Sequence, residues 1–397
     1  MTLTRSGLTS SRTLTATVTL AIGLPLLAAC TDNAPVSGDG ADPRTVTVTA
    51  TDTACELSAQ EAPSGNLRFS VTNTGGQVNE FYLLASDGLR IVGEVENIGP
   101  GLTRDLVLQT PPGEYFTACK PGMVGDGIRA EFTVPDSGEE LAPNEDEKAL
   151  VEKANALYGA YVRDQTEQLL TKTEQFTTAF IAGEDDKARN LYPRARVHWE
   201  RIETVAESFG DLDPEMDARE ADLEEGEEWT GWHRMEKDLW PERAKKYTAM
   251  SDAERKEYAD DLLTNTKTLY DRTRDMTFTA DQIANGAKGL LDEVATGKVT
   301  GEEEYWSRTD LWDFQANVDG ARVAFDGLKP LLQARGKTEL MDQIETKFTE
   351  LQRLLDQYKK GDGFISYDEL SSDQVKQLSD AVNALSEPLS NLTAAVI

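Results

Sequence analysis

A small β-sandwich followed by an all-α helical bundle is the fold class this sequence predicts, on three observations. From residue 45 to about 135, apolar and polar residues alternate with period two. The stretch PDSGEELAPNEDE then breaks the alternation. Beyond it Gly and Pro become sparse, and Glu, Lys, Ala, Leu and Gln dominate, as in helices. A chain of 397 residues is long enough for two cores, one for each pattern.

The segments follow in order. Arg5 and Arg12 precede LTATVTLAIGLPLLAAC, a run too short and too broken for a good membrane span, so residues 1–29 read as a secretory signal. The end of that run, Leu27-Ala28-Ala29-Cys30, looks like the lipobox of bacterial lipoproteins, where cleavage leaves the cysteine as the lipid-modified first residue. Two acyl chains on Cys30 would anchor stably where one is marginal. Residues 30–44 are small and polar with Pro and Gly, and read as a tether. Seven strand candidates occupy 45–136: TVTVTAT, NLRFSVTN, EFYLLAS, RIVGEVENI, RDLVLQT, GEYFTACK and IRAEFTV. Separated by Gly, Pro, Asn or Asp, they suggest a small antiparallel sandwich. Residues 137–145 read as a linker, and 146–397 as six or seven helices in an up-and-down bundle.

Charge narrows the partners. With 71 acids against 40 bases the formal net charge is −31. Such a surface repels nucleic acid and anionic lipid and concentrates cations. If Cys30 carries lipid, Cys55 and Cys119 remain as a pair in an oxidising compartment, where a disulfide is the default.

TACKPGM is the chemically suggestive stretch of the sandwich. Cys119 followed four residues later by Met123 resembles the copper loop of cupredoxins. A blue-copper centre also needs two histidines, and both of the chain's histidines, His198 and His233, lie in the helical half. A blue-copper centre is therefore excluded from this half. Two readings remain: a Cys55–Cys119 disulfide, which is favoured, or a degenerate metal site drawn from Cys55, Glu80, Glu94, Cys119 and Met123.

In the helical half, WTGWHRMEKDLW places Trp229, Trp232, Glu236, Leu239 and Trp240 on one helix face. Arg234, Lys237 and Asp238 fall on the other, solvated side. Glu236 thus interrupts an apolar stripe, with His233 one turn before it. A buried carboxylate is costly unless compensated, so an arginine or a metal should wait there. ARVHWERIETVAESFG predicts a helix from near Pro193, with Glu200-x-x-Glu203 as a second i,i+3 pair. Carboxylate and histidine pairs at that spacing build metal sites inside bundles. Asp310, on the edge of the stripe in WSRTDLWDFQANVDG, is either a further ligand or an N-terminal carboxylate favoured by the helix dipole. His198 reads as a satisfied core histidine. Carboxylates with one imidazole suit iron, manganese or zinc better than cuprous copper.

Sharper motifs fail. The zincin pattern needs a second histidine where Lys237 stands, which argues against peptidase activity. KKGDGFISYDEL mimics half a calcium loop, but Tyr358 and Lys360 occupy the first two ligand positions.

With those segments in view, the mature chain resembles the EfeO family, the extracytoplasmic component of the EfeUOB iron-uptake system. The likeness is carried by ARVHWERIETVAESFGDLDPEMDARE, WTGWHRMEKDLW, GEEEYWSRTDLWDFQANVDG and DGFISYDEL, and less sharply by ACELSAQ, VENIGPG and PGEYFTAC in the sandwich. It implies a cupredoxin-like domain followed by an imelysin (peptidase-like) domain. The family's H-x-x-E motif falls on His233 and Glu236, and the second acid of its ERIE segment on Glu203; Asp310 is an added inference. It further implies capture of iron, Fe2+ or Fe3+, outside the membrane, with copper or zinc as alternatives. Delivery would be to an iron permease, with a haem-peroxidase-like protein completing the system. A lipid anchor fits the outer face of a single cytoplasmic membrane, as in a Gram-positive cell. The rival expectation is an enzyme, a copper-assisted ferroxidase oxidising Fe(II) before uptake. A third is a surface protein that binds polysaccharide or peptide.

Overall fold

Alternating residues between Thr45 and Val134 form a two-sheet sandwich, and the segments rich in helix formers pack beside it as a bundle. The computed structural model describes residues 42–88, 91–125, 127–138, 145–223 and 226–397. The expected leader, Cys30 and the tether up to residue 41 lie outside the described residues, as does most of the expected linker.

The first sheet has the order β2-β1-β3-β6, from β1 (Thr45–Ala50), β2 (Cys55–Leu57), β3 (Gly65–Asn73) and β6 (Thr103–Thr110). The second is β5-β4-β7-β8, from β4 (Asn79–Leu84), β5 (Ile91–Ile98), β7 (Gly113–Cys119) and β8 (Ile128–Val134). Seven of these match the strand candidates; β2 is too short for an alternating pattern to reveal. The sandwich is not purely antiparallel, because β1 and β3 pair in parallel. β2 turns back along one edge of β1, and the chain then crosses to β1's other edge, so β3 re-enters in the original direction. Phe69 packs against Phe81 and Phe132 in the core, with ring centroids 5.2 Å apart in each pair.

Ten α-helices occur among the described residues, more than the six or seven expected, because short ones lack a full amphipathic period. They are α1 (Glu145–Ile181), α2 (Asp185–Glu200), α3 (Leu212–Asp217), α4 (Gly231–Leu239), α5 (Asp252–Asp275), α6 (Ala280–Thr296), α7 (Asp310–Ala334), α8 (Thr338–Leu355), α9 (Ser372–Leu389) and α10 (Leu392–Val396). Capping boxes start three of them, at Ser251 with Glu254, Thr279 with Gln282 and Ser371 with Gln374. A small hairpin, β9 (Lys359–Lys360) and β10 (Gly363–Phe364), lies between α8 and α9. None of the described helices is long and apolar enough to cross a membrane.

Pro193 lies inside α2 instead of opening a helix, and α2 stops at Glu200. The chain then tightens into a 3-10 turn over Glu203–Phe209, broken at Val205. Glu200 and Glu203 therefore straddle a helix end and do not share a regular turn. The sandwich meets the bundle along α6. Gln109 N–H donates to Asp281 Oδ2 (3.0 Å), and Asn285 Nδ2 to the Val107 carbonyl (2.9 Å). A cleft of about 630 Å³ opens beside this contact, with Glu94, Glu96 and Glu207 in its walls.

Candidate metal centre

Helix α4 begins where Gly231, at φ +80°, lies against the Met216 and Glu215 carbonyls, space that no larger residue could share. The helix buries Trp232, His233, Met235, Glu236, Asp238 and Leu239. His233 and Glu236 are fully buried, as the interrupted stripe predicts. Asp238 departs from the expected solvated face. It is 2% exposed and takes the Met250 N–H (2.8 Å), the Tyr247 hydroxyl (2.9 Å) and the Arg255 guanidinium (2.8 Å). Those partners sit on and just before α5, beyond the reach of helix periodicity.

The arginine expected at Glu236 is buried nearby but pairs with other acids, and Glu236 itself is held by His233 and two backbone N–H groups. Arg196 of α2 is fully buried and pairs with Glu200, Asp217, Glu303, Glu304 and Asp313. Lys298, 4% exposed, pairs with Glu200 and Glu203. Seven carboxylates (Glu200, Glu203, Asp217, Glu236, Glu303, Glu304 and Asp313) thus face two permanent cations and one imidazole. An interior so rich in carboxylate oxygens favours a further cation.

The imidazole has two distinct sides. Nδ1 lies 3.1 Å from Glu236 Oε2, whose other oxygen accepts the Trp306 (2.9 Å) and Ser307 (2.6 Å) backbone N–H groups. That network fixes Glu236 and suits it to hold the Nδ1 proton, so that a metal ion displacing the other ring proton would meet the Nε2 lone pair. Nε2 is buried without a hydrogen bond, 3.4 Å from Asp217 Oδ1 and 3.5 Å from Glu303 Oε1. Asp217, His233 and Glu303 each offer one donor atom within 4.8 Å of the others, and so do His233, Glu236 and Glu304. One nitrogen with carboxylate oxygens is a hard donor set that suits iron.

Burial works against the charged form of His233, and Arg196 adds to it, but contacts with Asp217, Glu236 and Glu303 more than offset both and push its pKa well above the ordinary value. Glu303 is buried too, yet Lys298, His233 and Arg196 hold its carboxyl well below the usual range. Asp217 is likewise lowered, with Arg196 outweighing burial. Burial next to Glu236 and Asp313 pushes Glu304 up despite Arg196.

The other expected ligands sit further out. Glu203 belongs to an adjoining compartment with Lys298 and Asn317. Asp310 opens α7 and accepts the Glu304 N–H (3.1 Å), one layer behind the chamber, and burial raises its carboxyl to about 7. His198 is hydrogen-bonded through Nδ1 to Gln165 (2.9 Å), outside the chamber. Sequence reasoning missed Arg196, Asp217, Lys298, Glu303 and Glu304. The signal for the last two was an acid run in GEEEYW directly before a buried tryptophan.

In the sandwich the five candidate ligands do not gather. Cys55 and Cys119 form a disulfide, which takes both sulfurs out of thiolate chemistry and ties the edge of one sheet to the other. Register separates the rest. Cys119 stands opposite Phe81 in the core, whereas Glu94 stands opposite Tyr82, on the other face of the sheet. Glu80, one residue before Phe81, shares that outer face, where it accepts the Tyr82 hydroxyl. Met123 is 41% exposed in the turn after β7.

Relatives fit this layout. Residues 154–392 match the family model described as Imelysin, and residues 19–134 match that of a Cupredoxin-like domain. The chain is 37% identical over 360 residues to the iron uptake system component EfeO of Yersinia pestis, covering 90% of this chain and 92% of that one. This chain belongs to the EfeO family. The EfeO component of Escherichia coli O157:H7 is also 37% identical, over 359 residues and 92% of its length. A crystal structure of a putative iron-regulated protein A precursor from Parabacteroides distasonis shares the fold, with TM-score 0.50 and 17% identity over 66% of this chain and 97% of that one. As an EfeO-family chain it carries Lys237 where a zincin would carry its second histidine, and that lysine pairs with Glu220.

Proposed function

We propose that this protein captures iron outside the cytoplasmic membrane and passes it to a membrane permease. The observation that carries the reading is the unbonded His233 Nε2 beside the ionised carboxyls of Asp217 and Glu303. Asp217, His233 and Glu303 take the iron in this account, and Glu236 orients the imidazole. Glu203 and Asp310 act from behind, on the charge balance and on the Glu304 turn. The relatives named as iron uptake system components support iron as the cargo. The lipobox ending in Cys30 supports anchoring at the outer membrane face, where a tether keeps the carrier at high effective concentration near its permease. A haem-peroxidase-like protein completes the proposed set of partners. The role is binding and delivery, not catalysis. With Cys119 held in a disulfide, the copper-assisted ferroxidase has no thiolate to stand on.

The test is calorimetric titration of the full chain in detergent with Fe(II) without oxygen and with chelated Fe(III), beside His233→Ala and Glu303→Gln. Wild type should bind about one iron, and each folded variant should lose roughly a hundredfold or more in affinity, as expected when a metal loses a donor or the group that orients it. Binding unchanged in both variants, with helicity intact, contradicts the assignment.

A further inference from the structure

The chamber has a second half, already filled by a side chain. Glu200, Glu203 and Asp217 bring one oxygen each within 4.8 Å of one another, a spacing that would suit a metal ion. The Lys298 ammonium stands among these acids, 3.0 Å from Glu200 Oε2 and 2.7 and 2.6 Å from the two Glu203 oxygens. It is also 3.7 Å from Glu303 Oε1, which borders the His233 half. Straddling both oxygens of Glu203 is the approach a bidentate metal would make.

Asn317 supplies an independent sign. Its Nδ2 donates to Glu200 Oε2 (3.0 Å) and Glu203 Oε2 (2.7 Å), while its Oδ1 is fully buried and without a partner. Turning the amide over would offer that oxygen, with the carboxylates, to an ion at the same place.

The lysine is held there by its backbone. It opens a 3-10 turn, Lys298–Thr300, that ends at Gly301 with φ +76°. Tyr367 covers that glycine closely and bonds the Val299 carbonyl through its hydroxyl. Arg308 Nη1 bonds the Gly301 carbonyl (2.7 Å), and Tyr367 N–H bonds the Arg308 carbonyl (3.0 Å). The segment DGFISYDEL, which fails as a calcium loop, clamps the turn that carries Lys298.

We propose that Lys298 is a tethered cation standing in a second metal position, so that its ammonium limits the chamber to one external ion. This inference rests on the iron-binding reading of the His233 half. A charged side chain replaces the ion, balances Glu200 and Glu203 while the other half is empty, and leaves that other half as the exchangeable site.

The test is anaerobic Fe(II) titration of the full chain in detergent, comparing wild type with Lys298→Met, Lys298→Gln, Lys298→Arg and Lys298→Met/Glu203→Gln. Wild type and Lys298→Arg should bind about one equivalent, and Lys298→Met about two, because losing the ammonium leaves the Glu200–Glu203 pair without its cation. The second equivalent should vanish in the double variant. Iron should also raise the melting temperature of Lys298→Met more than that of wild type, since the ion now replaces a missing buried charge. Lys298→Gln keeps a donor for Glu203, guards against collapse of the metal-free fold, and should also bind about two. Unchanged stoichiometry in both neutral variants, with affinity within about twofold of wild type, overturns the proposal. A wild type that binds no iron sinks the His233 reading instead. In that event a gain of one ion in Lys298→Met still supports the tethered cation, and no gain overturns it.

Discussion

Acids gather in both halves of this molecule, but their company differs. In the bundle, Asp217 and Glu303 stand against Arg196, Lys298 and His233, and their carboxyls are held low. On the outer face of the sandwich, Glu94 and Glu96 meet each other, Glu80, and Glu207 and Glu293 of the bundle. Burial and that mutual repulsion push Glu94 and Glu96 well up, and burial with Glu96 beside it raises Glu207 to about 8. Asp217 and Glu303 keep ionised oxygens next to an imidazole nitrogen without a hydrogen bond; Glu94 and Glu96 keep protons. The sandwich has also closed its metal-like loop with a disulfide. Crowding of acids alone does not make a cation site. Ionised donors beside built-in cations, with one donor left unbonded, come closer to one.

Perturbing Arg196 should break the comparison hardest. It is fully buried among five carboxylates, and removing one partner of a buried ion pair costs about 3–5 kcal/mol. Arg196→Met should lower bundle stability by at least that in urea unfolding followed by helicity, with iron binding lost. A variant as stable as wild type would mean the acids neutralise themselves with protons, as those of the sandwich do. Opening the disulfide comes next. Cys55→Ser/Cys119→Ser frees a loop spanning a sequence separation of 64 and should cost about 2–5 kcal/mol, read by thermal unfolding of the sandwich. Iron stoichiometry should not change, and a loss of iron there would move the metal chemistry into the sandwich. A milder probe is Glu94→Gln/Glu207→Gln, which should leave iron affinity within about twofold because neither residue borders His233.

A further modest effect concerns His198. Burial, with Arg201 and Lys172 nearby, lowers its pKa from 6.5 to about 4. Below 6.5 the unfolded chain takes up a proton that the folded chain refuses. The stabilising contribution is therefore complete above 6.5 and lost as the pH falls from 6.5 to about 4. Allowing for its partial exposure, His198→Asn should flatten stability over that window by on the order of 1 kcal/mol. An unchanged slope would remove His198 as the source.

The sandwich strands and the His233–Glu236 pair were legible in sequence because both rest on local periodicity. The parallel β1–β3 pairing was not, since alternation fixes faces and not neighbours. Nor was the burial of Asp238, whose partners on and before α5 are set by tertiary packing. Asp217 and Glu303 escaped for the same reason. Each ends or follows a short element, where no period points inward, and only the fold brings them to the imidazole. Glu94 and Cys119 could have been separated from sequence alone had the register of β4 been known.

The most direct test of the central claim, that the bundle and not the sandwich holds the metal, is iron X-ray absorption on the loaded full chain. The sandwich has sulfur but no histidine, and the bundle centre has one histidine among carboxylates. An iron bound in the bundle should show an oxygen-dominated shell with the outer scattering of a single imidazole, lost in His233→Ala, and no sulfur neighbour. A sulfur shell, or imidazole scattering that survives in His233→Ala, would contradict that claim.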